Sequence, residues 1–171
     1  DYAAKHSIYH RDIKPENIMI DERGIVKLID WELCSFRKYS TRRVGTFEYM
    51  AEEVNNAEIY ECLKSDIWSM AVVMFCLASG KRPYCSIVAN SEEEDELLQN
   101  IYNRDWKNFW KLQEKTIVKL PDELKKCLQT MLKKEPNQRY GIDEIMSHAF
   151  FYGEEMAPKD IVLLLEQCTI Y

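Results

Sequence analysis

The first third of the chain alternates short aliphatic runs with polar turns. Residues 18–20 and 25–29 are aliphatic or β-branched runs on either side of the polar turn 21–24. Two such runs around a turn that contains glycine predict a β-hairpin, in which Gly24 is free to take a positive φ. Residues 32–63 show little periodicity and predict a long irregular segment, and long loops in compact domains are usually functional.

The remainder of the chain has the spacing of helices. Residues 65–79 are apolar on nearly every side and stop at Gly80, which predicts a helix buried at the centre of a core. Ser65 is its predicted N-cap, and Asp66 lies where the helix dipole favours a negative charge. Further helices are predicted over residues 97–110, 122–134 and 143–150, the second with lysines in its last turn and with one apolar face carrying Leu124, Leu128, Met131 and Leu132.

Composition narrows the class of protein. The 171 residues are 46% hydrophobic and 30% charged, which is enough for one globular domain with a sizeable core. A net charge of -6 disfavours nucleic acid or an anionic membrane as partner, and the longest apolar run, 71–78, is far shorter than the roughly 20 residues that span a bilayer. The six cysteines form no C-x-x-C pair, so we expect reduced thiols and an intracellular location, cytoplasmic or nuclear.

Three polar side chains flank the predicted hairpin. Asp12 and Asn17 precede it, and Asp30 follows it, so their oxygens can converge on one spot. Carboxylate and amide oxygens together with substrate phosphates are the usual ligands of Mg²⁺. Lys14, two residues from Asp12, can neutralise charge on a transferring phosphate. The residues therefore predict metal-assisted phosphoryl transfer, with Asp12 near the attacking hydroxyl.

These residues belong to a longer series of motifs. HRDIKPEN (10–17), an aspartate 13 residues after Asn17, GTFEYMAEE (45–53) and SDIWSMA (65–71) resemble, in order and spacing, the C-terminal lobe of eukaryotic protein kinases. The resemblance covers residues 1–152, and the lysine of DIKPEN is the serine/threonine form. It implies a mainly α fold, a helical bundle around a central buried helix with a small hairpin that carries the catalytic and metal-binding loops. Residues 153–171 would be a C-terminal extension, predicted to be helical.

The resemblance also implies roles for individual residues. Asp12 would orient the substrate hydroxyl and accept its proton, Lys14 would bind the γ-phosphate of ATP, and Asn17 and Asp30 would hold Mg²⁺. Glu16 and Met19 would contact the nucleotide, with Met19 as the floor of the adenine pocket. Other matching positions would bind the substrate, receive an activating phosphate or hold the loops in place: His10, Arg11, Thr41, Thr46, Glu53, Asp66 and Arg139.

For these last residues the resemblance implies particular contacts. Arg11 would receive a phosphate from Thr41 or Ser40 of the irregular segment, because a guanidinium binds phosphate bidentately. Thr46 would contact Lys14 and Asp12. Asp66 would hydrogen-bond the backbone of the catalytic loop, Glu53 would pair with Arg139, and His10 would pack in the core.

The sequence also departs from the family pattern. Asp-Phe-Gly is replaced by Asp30-Trp31-Glu32, and Ala-Pro-Glu by Ala51-Glu52-Glu53. If the family glycine needs a positive φ, Glu32 costs about 1–3 kcal/mol and acts as a brake on the site. The five glycines do not form G-x-G-x-x-G, and no V-A-I-K lysine is present. Because the chain starts at Asp1 in what looks like mid-helix, we interpret it as an excerpt and expect it to be inactive by itself.

Two functions remain open at this point. The first is a serine/threonine protein kinase that, as a full-length chain, uses ATP and Mg²⁺ to phosphorylate proteins and is itself activated by an upstream kinase. The second is a pseudokinase, a folded module that binds partners without phosphoryl transfer. Asp12, Asn17 and Asp30 favour the enzyme, whereas Glu32 and the missing nucleotide-binding half favour the module.

Overall fold

A computed structural model describes residues 2–56, 59–84, 92–115, 117, 119–153 and 156–162. The α-helices are α1 (Tyr2–Lys5), α2 (Glu52–Asn55), α3 (Cys62–Ser79), α4 (Glu92–Asn103), α5 (Trp106–Gln113), α6 (Asp122–Met131) and α7 (Ile142–Met146). The strands are β1 (Ile18–Ile20), β2 (Val26–Leu28), β3 (Tyr39–Ser40) and β4 (Tyr60–Glu61). Short 3-10 turns cover Pro15–Asn17, Phe47–Tyr49, Pro136–Gln138 and Ala149–Tyr152. Much of the predicted C-terminal extension lies outside the described residues, but residues 158–162 form a helical turn.

The predicted hairpin is confirmed. Strands β1 and β2 pair antiparallel, with Ile18 opposite Leu28 and Ile20 opposite Val26. Gly24 has a φ of 76°, as the turn requires. The aliphatic residues of this hairpin are half-exposed, because it packs at the edge of the helical body.

The central buried helix is also confirmed, although its start was predicted wrongly. Helix α3 begins at Cys62, and Ser65 lies within its first turn, where its hydroxyl donates to the Cys62 carbonyl instead of capping the helix. The helix ends at Gly80, which has a φ of 72°. By length and composition α3 could cross a membrane, but half of it is buried and Trp68 and Phe75 are completely inaccessible. We interpret α3 as the core helix of the domain.

The other predicted helices are present with altered boundaries. Helix α6 buries the predicted apolar face against α3 but ends at Met131, so the lysines that follow lie outside its last turn. Residues 97–110 divide into α4 and α5 because Arg104 takes a φ of 60° and Asp105 caps the second helix by accepting from the Asn108 amide. Residues 143–150 likewise divide into α7 and a 3-10 turn.

The segment predicted to be irregular contains only short elements. Strand β3 pairs antiparallel with β4, placing Tyr39 opposite Glu61, and the 3-10 turn Phe47–Tyr49 packs against α3. The rest of residues 32–51 is loop, so side chains there are positioned by contacts with the helical body. Four of the six cysteines, Cys34, Cys62, Cys76 and Cys127, are free thiols in the structure, and Cys85 and Cys168 lie outside the described residues.

Candidate functional site

Asp12 is the centre of a tight polar cluster. Its Oδ1 accepts a hydrogen bond of 2.8 Å from the Thr46 amide, and its Oδ2 lies 3.0 Å from the Lys14 ammonium. The same ammonium donates to the Thr46 hydroxyl at 2.9 Å. The structure therefore brings together the three side chains that the sequence placed at the phosphoryl-transfer site, across 34 residues of chain.

The charges in this cluster support one another. Burial raises the pKa of Asp12, but the hydrogen bonds from Thr46 and Lys14 outweigh it, so the pKa lies below the ordinary aspartate value. The hydrogen bond to Asp12 is the main reason that the pKa of Lys14 is raised. At neutral pH the cluster consists of a carboxylate and an ammonium, with the carboxylate able to accept a proton.

Gly45 makes the approach of Thr46 to Asp12 possible. Its φ is 112°, and a Cβ at this position would lie 2.5 Å from the carbonyl oxygen of Arg11. Only glycine therefore fits between the irregular segment and the loop that carries Asp12.

Asn17 and Asp30 lie at the two open ends of the hairpin. The Asn17 amide nitrogen donates to the Asp12 carbonyl at 2.9 Å, and its backbone oxygen accepts from Ile29, next to Asp30. The Asn17 Oδ1 has no hydrogen-bond partner among the described residues, and the Asp30 side chain is exposed. The described part of the chain holds no cluster of three His, Cys, Asp or Glu side chains that could bind a metal by itself. One amide oxygen and one carboxylate fit Mg²⁺ that is also held by phosphate oxygens.

The strain that we expected at Glu32 is located elsewhere. Glu32 does not have a positive φ, whereas Asp30 has a φ of 60°. Aspartate tolerates this left-handed conformation better than most residues. The expectation that Glu32 is a conformational brake is therefore wrong for this structure, and no backbone reason remains for Glu32→Gly to raise activity.

Trp31 and His10 hold the end of the hairpin that carries Asp30 in place. The two rings pack edge to face with centroids 4.7 Å apart, and the Trp31 indole donates to the Leu28 carbonyl. His10 is buried; its Nε2 donates to the Ile29 carbonyl, and its Nδ1 accepts from the Asp12 amide. The predicted packing histidine thus also links Asp12 to the residue before Asp30.

Glu16 and Met19, the two further predicted nucleotide contacts, face solvent. Met19 is 52% exposed on β1, and Glu16 is exposed in the 3-10 turn that follows Lys14. Both are accessible to a ligand, and their roles stay predictions.

Asp66 anchors the loop that carries Asp12. Its two carboxylate oxygens each accept a backbone hydrogen bond of 2.7 Å, one from His10 and one from Arg11. Burial raises the pKa of Asp66 to about 6, against the opposing effect of these hydrogen bonds and of the Arg11 charge. Because the folded-state pKa is raised, the ionised form costs stability at neutral pH, and this cost declines as pH falls through about 6.

Arg11 contacts Ser40, not Thr41. Its Nη1 donates to the Ser40 hydroxyl at 3.1 Å, and its remaining hydrogen bonds go to backbone carbonyls. Arg11 is buried, yet no carboxylate of the described residues lies within ion-pair distance of it. Thr41 is exposed on the rim of the adjoining open cavity of about 650 Å³, which Arg37 and Arg42 also line.

Glu53 and Arg139 form the predicted ion pair. It is bidentate, with distances of 2.6 and 2.9 Å, and the Arg139 side chain is completely buried. Arg139 also donates to the carbonyls of Lys64, Lys133 and Lys134 and lies over the Trp68 ring. The end of the irregular segment is thereby fixed to the helical body.

Two further contacts were missed at the level of sequence. The Tyr60 hydroxyl donates to the Arg42 carbonyl at 2.6 Å, and the Ser69 hydroxyl on α3 donates to the Tyr49 carbonyl at 2.7 Å. Both hold the irregular segment against the body. Nothing in the sequence around Tyr60 predicts its hydrogen bond. Ser69 is a polar residue within an apolar helix, and a buried hydroxyl at such a position needs a hydrogen-bond partner, so its contact could have been predicted.

Comparison with known proteins agrees with this geometry. The family model described as protein kinase domain matches residues 1–151. The chain belongs to the protein kinase family. Its mostly helical fold with small antiparallel sheets is that of a partial kinase domain.

Similar curated proteins are serine/threonine kinases. The chain is 32% identical over 157 residues to CBL-interacting serine/threonine-protein kinase 20 of Arabidopsis thaliana, covering 88% of this chain and 33% of that protein. It is 29% identical over 161 residues to CBL-interacting protein kinase 5 of Oryza sativa subsp. japonica, covering 88% and 31%. It is 32% identical over 153 residues to a probable myosin light chain kinase of Dictyostelium discoideum, covering 86% and 30%. The kinase domain described here thus spans about a third of the length of these relatives.

Proposed function

We propose that the full-length protein is a serine/threonine protein kinase that transfers the γ-phosphate of ATP to serine or threonine residues of protein substrates. The observation that carries this proposal is the triangle of Asp12, Lys14 and Thr46, with three contacts between 2.8 and 3.0 Å. Phosphoryl transfer depends mainly on positioning and electrostatic stabilisation, and this triangle supplies both a proton acceptor and a fixed positive charge.

Each residue has a defined task in this proposal. The Asp12 carboxylate orients the substrate hydroxyl and accepts its proton, since its lowered pKa keeps it ionised at neutral pH. Lys14 stabilises charge on the transferred phosphate. Thr46 holds both side chains and limits the space at the acceptor to a short serine or threonine side chain.

Mg²⁺ and ATP are proposed cofactors. Asn17 Oδ1 and the Asp30 carboxylate would hold the metal ion, which neutralises charge on the phosphates when bound. Glu16 and Met19 would contact the nucleotide from the exposed side of the hairpin. His10 and Trp31 keep the two metal-binding residues in register by their edge-to-face contact.

A pseudokinase is the second candidate function. The observation in its favour is the exposed Glu32, which adds a carboxylate two residues after Asp30 where the family has a glycine. A further negative charge there would repel nucleotide phosphates. In that case the fold would serve as a binding module without phosphoryl transfer.

Replacing Asp30 by alanine is expected to lower ATP-dependent protein phosphorylation by the full-length protein at least about 100-fold, because a principal metal ligand is lost. The measurement is incorporation of labelled phosphate into a protein substrate, with wild type and Asp30→Ala side by side. Asp143→Ala, an exposed helix-terminal carboxylate, is the matched control and should leave the rate unchanged. Equal rates for wild type and Asp30→Ala would refute the metal assignment, and an inactive wild type that still binds a partner would favour the pseudokinase.

Phosphorylation of Ser40 is expected to stabilise the domain. A phosphate on Ser40 would reach the buried Arg11 guanidinium and make a charged hydrogen bond, typically worth about 1.5–3 kcal/mol. The measurement is the free energy of unfolding of the chain with phosphoserine incorporated at position 40. Phosphothreonine at position 41 is the control, because Thr41 is exposed and makes no hydrogen bond with Arg11. Equal stabilisation by both modifications would contradict the assignment of Ser40.

The remaining proposals concern the partners, the location and the domain boundaries of the protein. Protein substrates, ATP and an upstream activating kinase are the proposed partners, and the net charge of -6 argues against nucleic acid or a membrane surface. We propose an intracellular location, in the cytoplasm or nucleus. We also propose that the kinase domain covers residues 1–152 here and that 153–171 form an extension.

A further inference from the structure

The tip of the β1–β2 hairpin touches the C-terminal segment, residues 156–162. Gly24 is buried although it lies at the tip of a hairpin, where a residue is normally exposed. A Cβ at position 24 would lie 2.7 Å from the carbonyl carbon and 2.9 Å from the Cα of Pro158. The backbones of the two segments are therefore in direct contact, and only a hydrogen atom fits between them.

The hairpin tip is stiff enough to transmit this contact. The Asp21 Oδ1 accepts from the amides of Arg23 and Ile25, and the Asp21 carbonyl accepts from the Gly24 amide. From the tip, the two paired strands run three residues each to the ends that carry Asn17 and Asp30. A restraint on Gly24 is thus a restraint on the orientation of the whole hairpin.

The C-terminal segment, in turn, packs on the hairpin. The structure describes residues 158–162 of this segment as helical. Its backbone bonds from Asp160 and Ile161 both go to the Ala157 carbonyl. Pro158, Lys159 and Asp160 are exposed to solvent, Ala157, Ile161 and Val162 are half-buried, and the backbone of Pro158 lies directly against Gly24.

We propose that the C-terminal segment is a regulatory strap that docks on Gly24 and restrains the hairpin carrying Asn17 and Asp30. Displacement of the strap by a binding partner would free the hairpin and change the position of these two side chains relative to Asp12. Docking and hairpin order are then coupled, and each must stabilise the other by the same free energy. The proposal concerns the chain's own conformation and stands whether or not the protein transfers phosphate.

Hydrogen exchange on the 171-residue chain tests the docking contact. In Gly24→Ala we expect amide exchange at Asp160 and Ile161 to rise at least about tenfold, because the added methyl expels the strap. Gly80→Ala is the matched control: Gly80 has a similar φ, 72° against 76°, but no atom within 4 Å of its Cβ position. It carries the same backbone strain without the contact, so exchange at 160 and 161 should not change. Equal exchange in the two variants would overturn the proposal.

The reciprocal variant leaves the hairpin sequence intact. Pro158→Gly loosens the first turn of the strap, because glycine increases the freedom of the detached segment. We expect faster exchange of the hairpin amides at residues 18–20, whereas amides of α3 keep their protection and show that the domain is folded. Unchanged exchange at 18–20 in a folded Pro158→Gly variant would show that the strap does not restrain the hairpin.

Discussion

Asp12→Asn is expected to reduce the kcat of the full-length protein by about 10²–10⁴-fold, the usual contribution of a positioned general base. Asparagine keeps the size of the side chain and its Oδ1, so the hydrogen bond from the Thr46 amide can persist. It removes the negative charge that holds the Lys14 ammonium, and with it the carboxylate that we propose as the acceptor of the substrate hydroxyl proton. The loss should therefore be in kcat, measured by steady-state phosphorylation of a protein substrate, with a smaller change in KM.

Asp143→Asn provides the comparison for Asp12→Asn. Asp143 lies exposed in the first turn of α7, so the same substitution there should leave kcat unchanged. A kcat within about threefold of wild type for Asp12→Asn would contradict the assigned base, given the magnitude that such groups usually contribute. A variant that loses activity because it unfolds would be recognised by loss of its cooperative thermal transition.

The pH dependence of the proposed phosphorylation by the unmodified protein bears on Asp12 as well. Hydrogen bonds from Thr46 and Lys14 lower the pKa of Asp12 in the folded state despite the opposing effect of burial. The acidic limb assigned to Asp12 should thus lie below the ordinary aspartate value of 3.8. The depressed pKa also means that Asp12 contributes stability above the unfolded-state pKa, a contribution that is lost as pH falls through the folded-state value.

Elements that depend on local pattern were predictable from the sequence. The β1–β2 hairpin follows from two aliphatic runs around Gly24, and α3 follows from a long apolar run that ends at Gly80. Their boundaries were less predictable. Helix α3 starts at Cys62 because β4 leads directly into it. The break between α4 and α5 depends on a left-handed backbone at Arg104, which an arginine in the sequence does not predict.

In the candidate site, too, the local features were predictable from the sequence and the long-range contacts were not. Asp12, Lys14 and Asn17 lie on one loop, so their spacing alone indicated a shared site. The contact between Arg11 and Ser40 spans 29 residues and depends on how an irregular segment folds back, so sequence reasoning left Ser40 and Thr41 as alternatives. The strain at Asp30 was assigned to Glu32 by analogy with a family glycine, and only backbone geometry corrects that.

Arg139→Ala is expected to lower the free energy of unfolding of the chain by about 3–5 kcal/mol, the usual cost of removing one partner of a buried ion pair. The Arg139 side chain is completely inaccessible, and Glu53 is 14% exposed. Alanine would leave the Glu53 carboxylate without its bidentate partner and three backbone carbonyls without a donor. The measurement is a urea unfolding curve at neutral pH, read as a lower midpoint with an unchanged slope.

Lys126→Ala is the matched control for Arg139→Ala, since Lys126 forms an ion pair of similar length, 2.7 Å, with Glu123 on the exposed face of α6. Its removal should leave the midpoint unchanged, because solvent screens an exposed pair. A loss below about 1 kcal/mol for Arg139→Ala would mean that water reaches the pair and solvates Glu53. The double variant Glu53→Leu with Arg139→Met distinguishes the contribution of the ion pair to stability from its role in positioning the irregular segment. A hydrophobic pair of similar volume often restores stability. If stability returns while phosphorylation does not, the ion pair acts by fixing the end of the irregular segment near Thr46.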